Sequence, residues 1–203
     1  RFDLLVVDNG STDGTSEIVA SRFGGGTKVP VRCIREETPG LSRARNRAIA
    51  ETTSEILVFL DDDAVPEPGW LKALQEAFDS PLGGNIVGGA IIPIYEDGRP
   101  DWFPQSAEGI FRPNIPSEGL RRVFYPHFPY GANIAFNRSV FNKVGLFRED
   151  LGYRGDSCLM PADETELLLR IEKSGGAILF EPKAVVRHLI PAVRTSRAYL
   201  CRR

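Results

Sequence analysis

Three consecutive carboxylates, Asp61-Asp62-Asp63, follow the apolar run Ile56-Leu57-Val58-Phe59-Leu60 without a break. Carboxylates side by side repel one another unless a cation or the donors of a ligand compensate their charge. Mg²⁺ and Mn²⁺ favour hard oxygen ligands and are often shared with substrate phosphates, so the triplet is a candidate divalent-metal site. The competing reading is a solvated acidic turn. A second acidic group, Asp163-Glu164-Thr165-Glu166, opens a stretch with helical apolar spacing. Acids in a first helical turn are favoured by the helix dipole, and a carboxylate there can also act as a general base toward a bound hydroxyl. His188 ends the last apolar run, while His127 has no such context and reads as structural.

Two polar stretches have the chemistry to hold a nucleotide. In Asp8-Asn9-Gly10-Ser11-Thr12-Asp13-Gly14, side chains and backbone N–H groups can bind a base or ribose, or can serve only as a tight turn and helix cap. Arg45 with Asn46 can donate to a nucleotide or diphosphate. Arg43 and Arg47, four residues apart, share one helix face and read as solvated unless a ligand claims them.

Strands alternating with helices must position these groups, which makes the chain α/β. The pattern predicts a strand at Leu4–Val7, a short helix from Thr15 capped by Ser11 or Thr12, a strand at Val29–Arg35 and a helix from Arg43 to about Thr52. Glu55–Leu60, apolar throughout after Glu55, reads as a parallel strand buried on both faces. Its carboxyl end, where ligands sit in open α/β sheets, carries the acidic triplet. A helix follows from Trp70 with core positions Leu71, Leu74 and Phe78, then a strand at Ile86–Ile94. Gly88-Gly89 inside that strand predicts a bulge or a close backbone approach. Residues 96–130 hold six prolines and several aromatics without a period, which suits an ordered lid or substrate wall. A strand at Gly131–Phe136, helices at Arg138–Val144 and Ala162–Ser174, and two strands at Ala177–Phe180 and Ala184–His188 complete the pattern.

The chain has 203 residues, 42% hydrophobic and 26% charged, as expected of one globular domain. A net charge of -2 gives no reason to expect nucleic acid as a partner. Three cysteines, Cys33, Cys158 and Cys201, far apart and without a C-x-x-C pair, argue against a disulfide framework or zinc site and suit a reducing, cytoplasmic setting. The tail from Pro191 carries Arg194, Arg197, Arg202 and Arg203 and reads as solvated or as a peripheral membrane contact at the inner face. The apolar strand Leu4–Val7 lies almost at the first residue, so a further strand and helix are expected upstream of it.

Together the motifs resemble the family-2 glycosyltransferases with the GT-A fold. The resemblance is carried by Val6–Thr15, Gly40-Leu41-Ser42-Arg43-Ala44-Arg45-Asn46, Phe59–Asp63, Gly131–Phe136, Val144-Gly145-Leu146-Phe147 and Asp163–Arg170, in that order along nearly the whole chain. It implies a Rossmann-like, mixed but mostly parallel sheet flanked by helices in a single domain. It implies a nucleoside-diphosphate sugar donor and a glycan or lipid-linked acceptor, as in polysaccharide biosynthesis. By match to the family pattern Asp8, Asn9 and Ser11 would contact the nucleotide, with Arg45 and Asn46 in support. Asp61 and Asp62 would meet the donor, Asp63 with Asp61 the metal, and His188 would complete the metal shell. Gly131 and Asn133 would lie on the acceptor side. The family usually reads Glu-Asp where this chain has Asp163-Glu164, so the base position falls on Glu164, with Asp163 as the alternative. A sugar-phosphate nucleotidyltransferase and a non-catalytic nucleotide- or sugar-binding domain share the general architecture and remain open at this point.

Overall fold

The computed structural model describes residues 1–25, 28–113, 115, 118–154, 157–158 and 162–200. Cys201, Arg202, Arg203 and the Cys158 side chain, invoked above, lie outside the described residues. The elements begin with β1 (Leu4–Asp8), α1 (Thr15–Phe23), β2 (Val31–Arg35), α2 (Leu41–Glu51), β3 (Ile56–Leu60) and β4 (Ala64–Pro66). Next come α3 (Trp70–Phe78), β5 (Ile86–Tyr95), β6 (Arg121–Arg122), β7 (Asn133–Asn137) and α4 (Ser139–Val144). The chain continues through β8 (Tyr153–Arg154), β9 (Ser157–Cys158), α5 (Asp163–Lys173), β10 (Ile178–Ile190) and α6 (Arg197–Leu200).

Contacts divide the chain into two compact units, one of residues 1–54 and 145–167 and one of residues 55–144 and 168–203. In the first unit β1 and β2 pair in parallel, Leu4 beside Val31 through Asp8 beside Arg35. Helix α1 starts after Gly14, which takes φ 78°, and no side chain caps it. The expected cap by Ser11 or Thr12 fails because the N-cap position falls on Gly14, which has no side chain. Helix α2 buries Ser42, Arg45, Asn46 and Ile49, a stripe at helical spacing that mixes polar and apolar residues.

The second unit is built on a mixed sheet of order β3-β7-β5-β10-β4, with β6 added to β10. Its longest pairing, β5 with β10, is parallel, whereas β7 runs antiparallel to both β3 and β5. Among the described residues β3 pairs only with β7, so only Leu57 of that strand is fully buried and Leu60 is exposed. The expected parallel strand buried on both faces is thus an edge strand paired antiparallel with β7 among the described residues. The two strands expected near the end are one strand, β10, which passes a register shift between Glu181 and Val185 opposite Gly89 and Ala90. A Cβ on Gly89 would lie 2.0 Å from the Ala184 carbonyl oxygen, and one on Gly88 1.9 Å from Pro129 Cβ. Close approach therefore fixes both glycines, as their sequence context predicts.

Helix α3 buries Trp70, Ala73, Leu74 and Ala77 in the core of this unit, with Leu71 and Phe78 partly buried beside them. The described residues of 96–130 pack through their aromatics. Phe103 and Phe111 pack with Ile190 and Tyr95, and Phe128 is also buried.

Candidate functional site

In the second unit, the turn after β3 closes with the Ala64 amide on the Asp61 carbonyl at 3.1 Å. The chain then runs as β4 antiparallel to the end of β10, with Ala64 beside His188. The Leu189 amide donates to the Asp63 carbonyl at 2.8 Å. Two stretches 125 residues apart are thereby locked in register, and His188 Nε2 lies 2.7 Å from Asp63 Oδ1. Asp61, Asp63 and His188 each offer a ligand atom, and these atoms lie within 4.8 Å of one another. Asp62 is exposed and is not among these three.

Burial pushes the Asp63 carboxyl up, but the His188 hydrogen bond and charge and the Arg194 guanidinium outweigh it and hold Asp63 below its ordinary range. Arg194 approaches Asp63 Oδ2 at 3.7 Å. The His188 Nδ1 atom is buried with no partner among the described residues. Two carboxylate oxygens and one imidazole nitrogen fit Mn²⁺ or Mg²⁺.

The first unit holds the other acidic group. Asp163, the first residue of α5, is 1% exposed and pairs with Arg45 Nη1 at 2.7 Å. Glu164 is more accessible and lies 3.5 Å from Arg45 Nη2. Burial pushes the Asp163 carboxyl up, the neighbouring Glu164 charge adds to this, and Arg45 opposes both. Phe147 lies beneath the guanidinium, 5.4 Å from its ring centroid.

The residues expected to meet the nucleotide are tied into this same unit. Asp8 is buried, and hydrogen bonds from the Ser16 hydroxyl and from Ser11 hold it at about 2. Ser16 Oγ lies 2.5 Å away, the Ser11 amide 2.9 Å and Arg35 Nη1 3.2 Å. The Asn9 amide donates to the carbonyls of Glu36 and Thr38 and accepts from Gly40. Asn46 exchanges two hydrogen bonds with the Phe147 backbone, both at 3.0 Å.

In the second unit, Gly131 is buried and Asn133 is 0% exposed. Asn133 accepts from Trp70 Nε1 at 2.9 Å and donates to the carbonyls of Ala90 and Ala184. It thus staples the β10 register shift to β5 and α3.

Sequence reasoning missed Ser42 and Phe147 around Arg45, Ser16 and Arg35 around Asp8, and Arg194 beside Asp63. A signal existed for the first: Ser42, Arg45, Asn46 and Ile49 recur at the spacing of a single helix face, and Ile49 marks that face as buried. Among the tail arginines, Arg194 reaches Asp63 and Arg197 stacks on Trp102 at 5.1 Å.

The chain matches the family model described as Glycosyl transferase family 2 over residues 1–145. It is 28% identical over 205 residues to the glucosyl-dolichyl phosphate glucuronosyltransferase of Haloferax volcanii, which covers 98% of this chain and 63% of that protein. It is 38% identical over 163 residues to glycosyltransferase AglE of the same organism, covering 77% of this chain and 49% of the relative. The chain thus spans about half to just under two thirds of the length of these relatives. Among solved structures it is similar to the mannosyltransferase PcManGT of Pyrobaculum calidifontis in complex with GDP-Man and Mn²⁺, with a TM-score of 0.65, 23% identity and coverage of 98% of this chain and 50% of that one. It is also similar to GalNAc-T7 with UDP, GalNAc and Mn²⁺, with a TM-score of 0.60, 17% identity and coverage of 93% and 38%. At such identities these likenesses show the fold, that of the GT-A glycosyltransferases.

Proposed function

Because the chain belongs to glycosyltransferase family 2, we propose that it forms the catalytic part of an inverting, metal-dependent transferase. The enzyme moves a sugar from a nucleoside-diphosphate donor to a hydroxyl of a glycan or lipid-linked acceptor. The observation that carries this reading is the convergence of Asp61, Asp63 and His188 at the end of β3. These residues would hold Mg²⁺ or Mn²⁺, whose chemistry there is charge compensation for the departing diphosphate. Glu164, accessible where Asp163 is sealed, is the base that takes the proton of the attacking acceptor hydroxyl. Attack on the anomeric carbon from the face opposite the leaving group inverts its configuration through an oxocarbenium-like transition state.

Asp8, Asn9 and Ser11 shape the loop that receives the nucleotide, and Asp61 and Asp62 meet the donor. Gly131 and Asn133 act on the acceptor side through the backbone they hold, since the Asn133 side chain is buried. The dolichyl phosphate in one relative's name supports a lipid-linked acceptor, which would be met at the inner face of a membrane. No described helix is long and apolar enough to cross a membrane.

A thermal-shift panel of UDP-, GDP- and dTDP-sugars with and without Mn²⁺ tests the reading. Saturating one donor a hundredfold above its Kd should stabilise the chain by about 2.7 kcal/mol. Asp63→Ala should remove the Mn²⁺-dependent part. The proposal fails if no nucleotide sugar shifts the melting temperature with the metal present.

A further inference from the structure

The Arg45 guanidinium is 5% exposed and forks between two successive carboxylates of α5, with Nη1 2.7 Å from Asp163 and Nη2 3.5 Å from Glu164. Its surroundings enclose it: the Phe147 ring lies 5.4 Å away, and Ser42 Oγ sits 3.5 Å from the same Asp163 oxygen. Gly152, at φ +87°, closes over Asp163 so tightly that a Cβ there would lie 3.1 Å from the Asp163 Cγ. A guanidinium held in this way is not presented to a phosphate. The rigid fork fixes both acids at once, which a lysine ammonium, a point charge on a flexible stem, cannot do. Asp163 takes the shorter contact and is sealed, whereas Glu164 keeps the longer one and a side chain 24% exposed.

We propose that Arg45 is a positioning residue for Glu164, anchored through Asp163, and that it serves the transfer step and not the binding of the nucleotide. The inference rests on the reading of Glu164 as the base. A base displaced by about 1 Å can lose on the order of 10²-fold in rate while substrate binding is untouched. Arg45 then sets kcat, and the donor's affinity is set elsewhere.

The test is Arg45→Lys in the full-length protein, with the donor that stabilises it most in the nucleotide-sugar panel. Sugar release gives kcat, calorimetry with UDP and GDP in MnCl₂ gives nucleotide affinity, and a melt reports folding. The expected result is a folded variant whose nucleotide Kd stays within about twofold and whose kcat falls by one to two orders of magnitude, roughly. If Arg45→Lys melts early, the pair Arg45→Met with Asp163→Leu removes the buried charges together and restores an apolar filling. That variant should bind nucleotide normally and still turn over slowly. Weakened nucleotide affinity with kcat preserved overturns the inference and returns Arg45 to nucleotide binding. Full kcat in both folded variants also overturns it. Glu164→Gln separates the two readings: if it keeps wild-type turnover, base catalysis by Glu164 falls and this inference falls with it. A nucleotide-affinity defect in Arg45→Lys sinks only the inference.

Discussion

Asp163 and Asp63 stand at comparable points of the chain, each at the entry to an element, and their surroundings differ. Asp163 is buried with a guanidinium 2.7 Å away and a glycine closed over it, so its charge is met from within the protein. Asp63 is partly exposed, shares its oxygens with a histidine and a more distant arginine, and has Asp61 close by. One cluster is complete as folded. The other brings two carboxylates and an imidazole within 4.8 Å of one another, an arrangement that a divalent cation would fit. Identical residue types thus differ in what compensates them within the fold.

The comparison breaks most sharply at Asp63. Asp63→Ala should lower transfer on the order of 10³-fold and abolish stabilisation by Mn²⁺ in a melt. Asp62→Ala, at an exposed position, should leave the Mn²⁺ response intact. Equal loss in both variants would show that the triplet acts only as a diffuse acidic patch.

On the sealed side the effect falls on stability. Arg45→Met leaves Asp163 buried without its cation and should cost about 3–5 kcal/mol, read as a drop in the urea midpoint. Adding Asp163→Leu should recover most of it, because the pair is then replaced by an apolar filling. A single variant as stable as the double would mean that Asp163 reaches water.

Titration gives a smaller, signed version of the same contrast within one unit. Asp8 is held at about 2 against an ordinary 3.8, so its stabilising contribution is full above 3.8 and is lost as pH falls toward 2. Asp163 is raised, so the stability it adds is present below its ordinary value and is lost as pH rises through the raised one. Melting temperature should therefore fall on acidification below about pH 4 in the parent chain, and Asp8→Asn should flatten that limb. An unchanged acid limb in Asp8→Asn would place its cause in other carboxylates.

The parts of the cluster that the structure brings together were legible in the sequence: an apolar strand that stops at three acids, and a histidine that ends another strand. The Gly88-Gly89 approach was legible for a similar reason, since two glycines inside a strand need a partner backbone to explain them. The environments of Arg45 and Asn46 were not, because their partners Asp163 and Phe147 lie more than 100 residues along the chain. Local pattern could show that α2 buries this face, but not what meets it. Asn133 was hidden in the same way: its buried role depends on where Trp70, Ala90 and Ala184 come together. The continuity of β10 was not legible because Glu181-Pro182-Lys183 interrupt the apolar run between the two expected strands, and the structure takes that stretch up in a register shift.

Arg194 offers the finest test of the difference between the two clusters. Its guanidinium is 3.7 Å from Asp63 Oδ2 with a side chain 41% exposed. It therefore sits beside the open cluster as Arg45 sits in the sealed one, but loosely and in contact with water. A solvent-exposed ion pair of this kind is worth about 0.2–1 kcal/mol. A cation bound at Asp63 must displace that attraction and then tolerate a like charge nearby, and both effects oppose its binding. Arg194→Ala should therefore raise Mn²⁺ affinity by about 1.5- to 5-fold, measured by calorimetry with MnCl₂ alone. The gain should shrink at high salt, where exposed charges are screened. Unchanged or weaker Mn²⁺ binding in Arg194→Ala would mean that the arginine does not compete for Asp63.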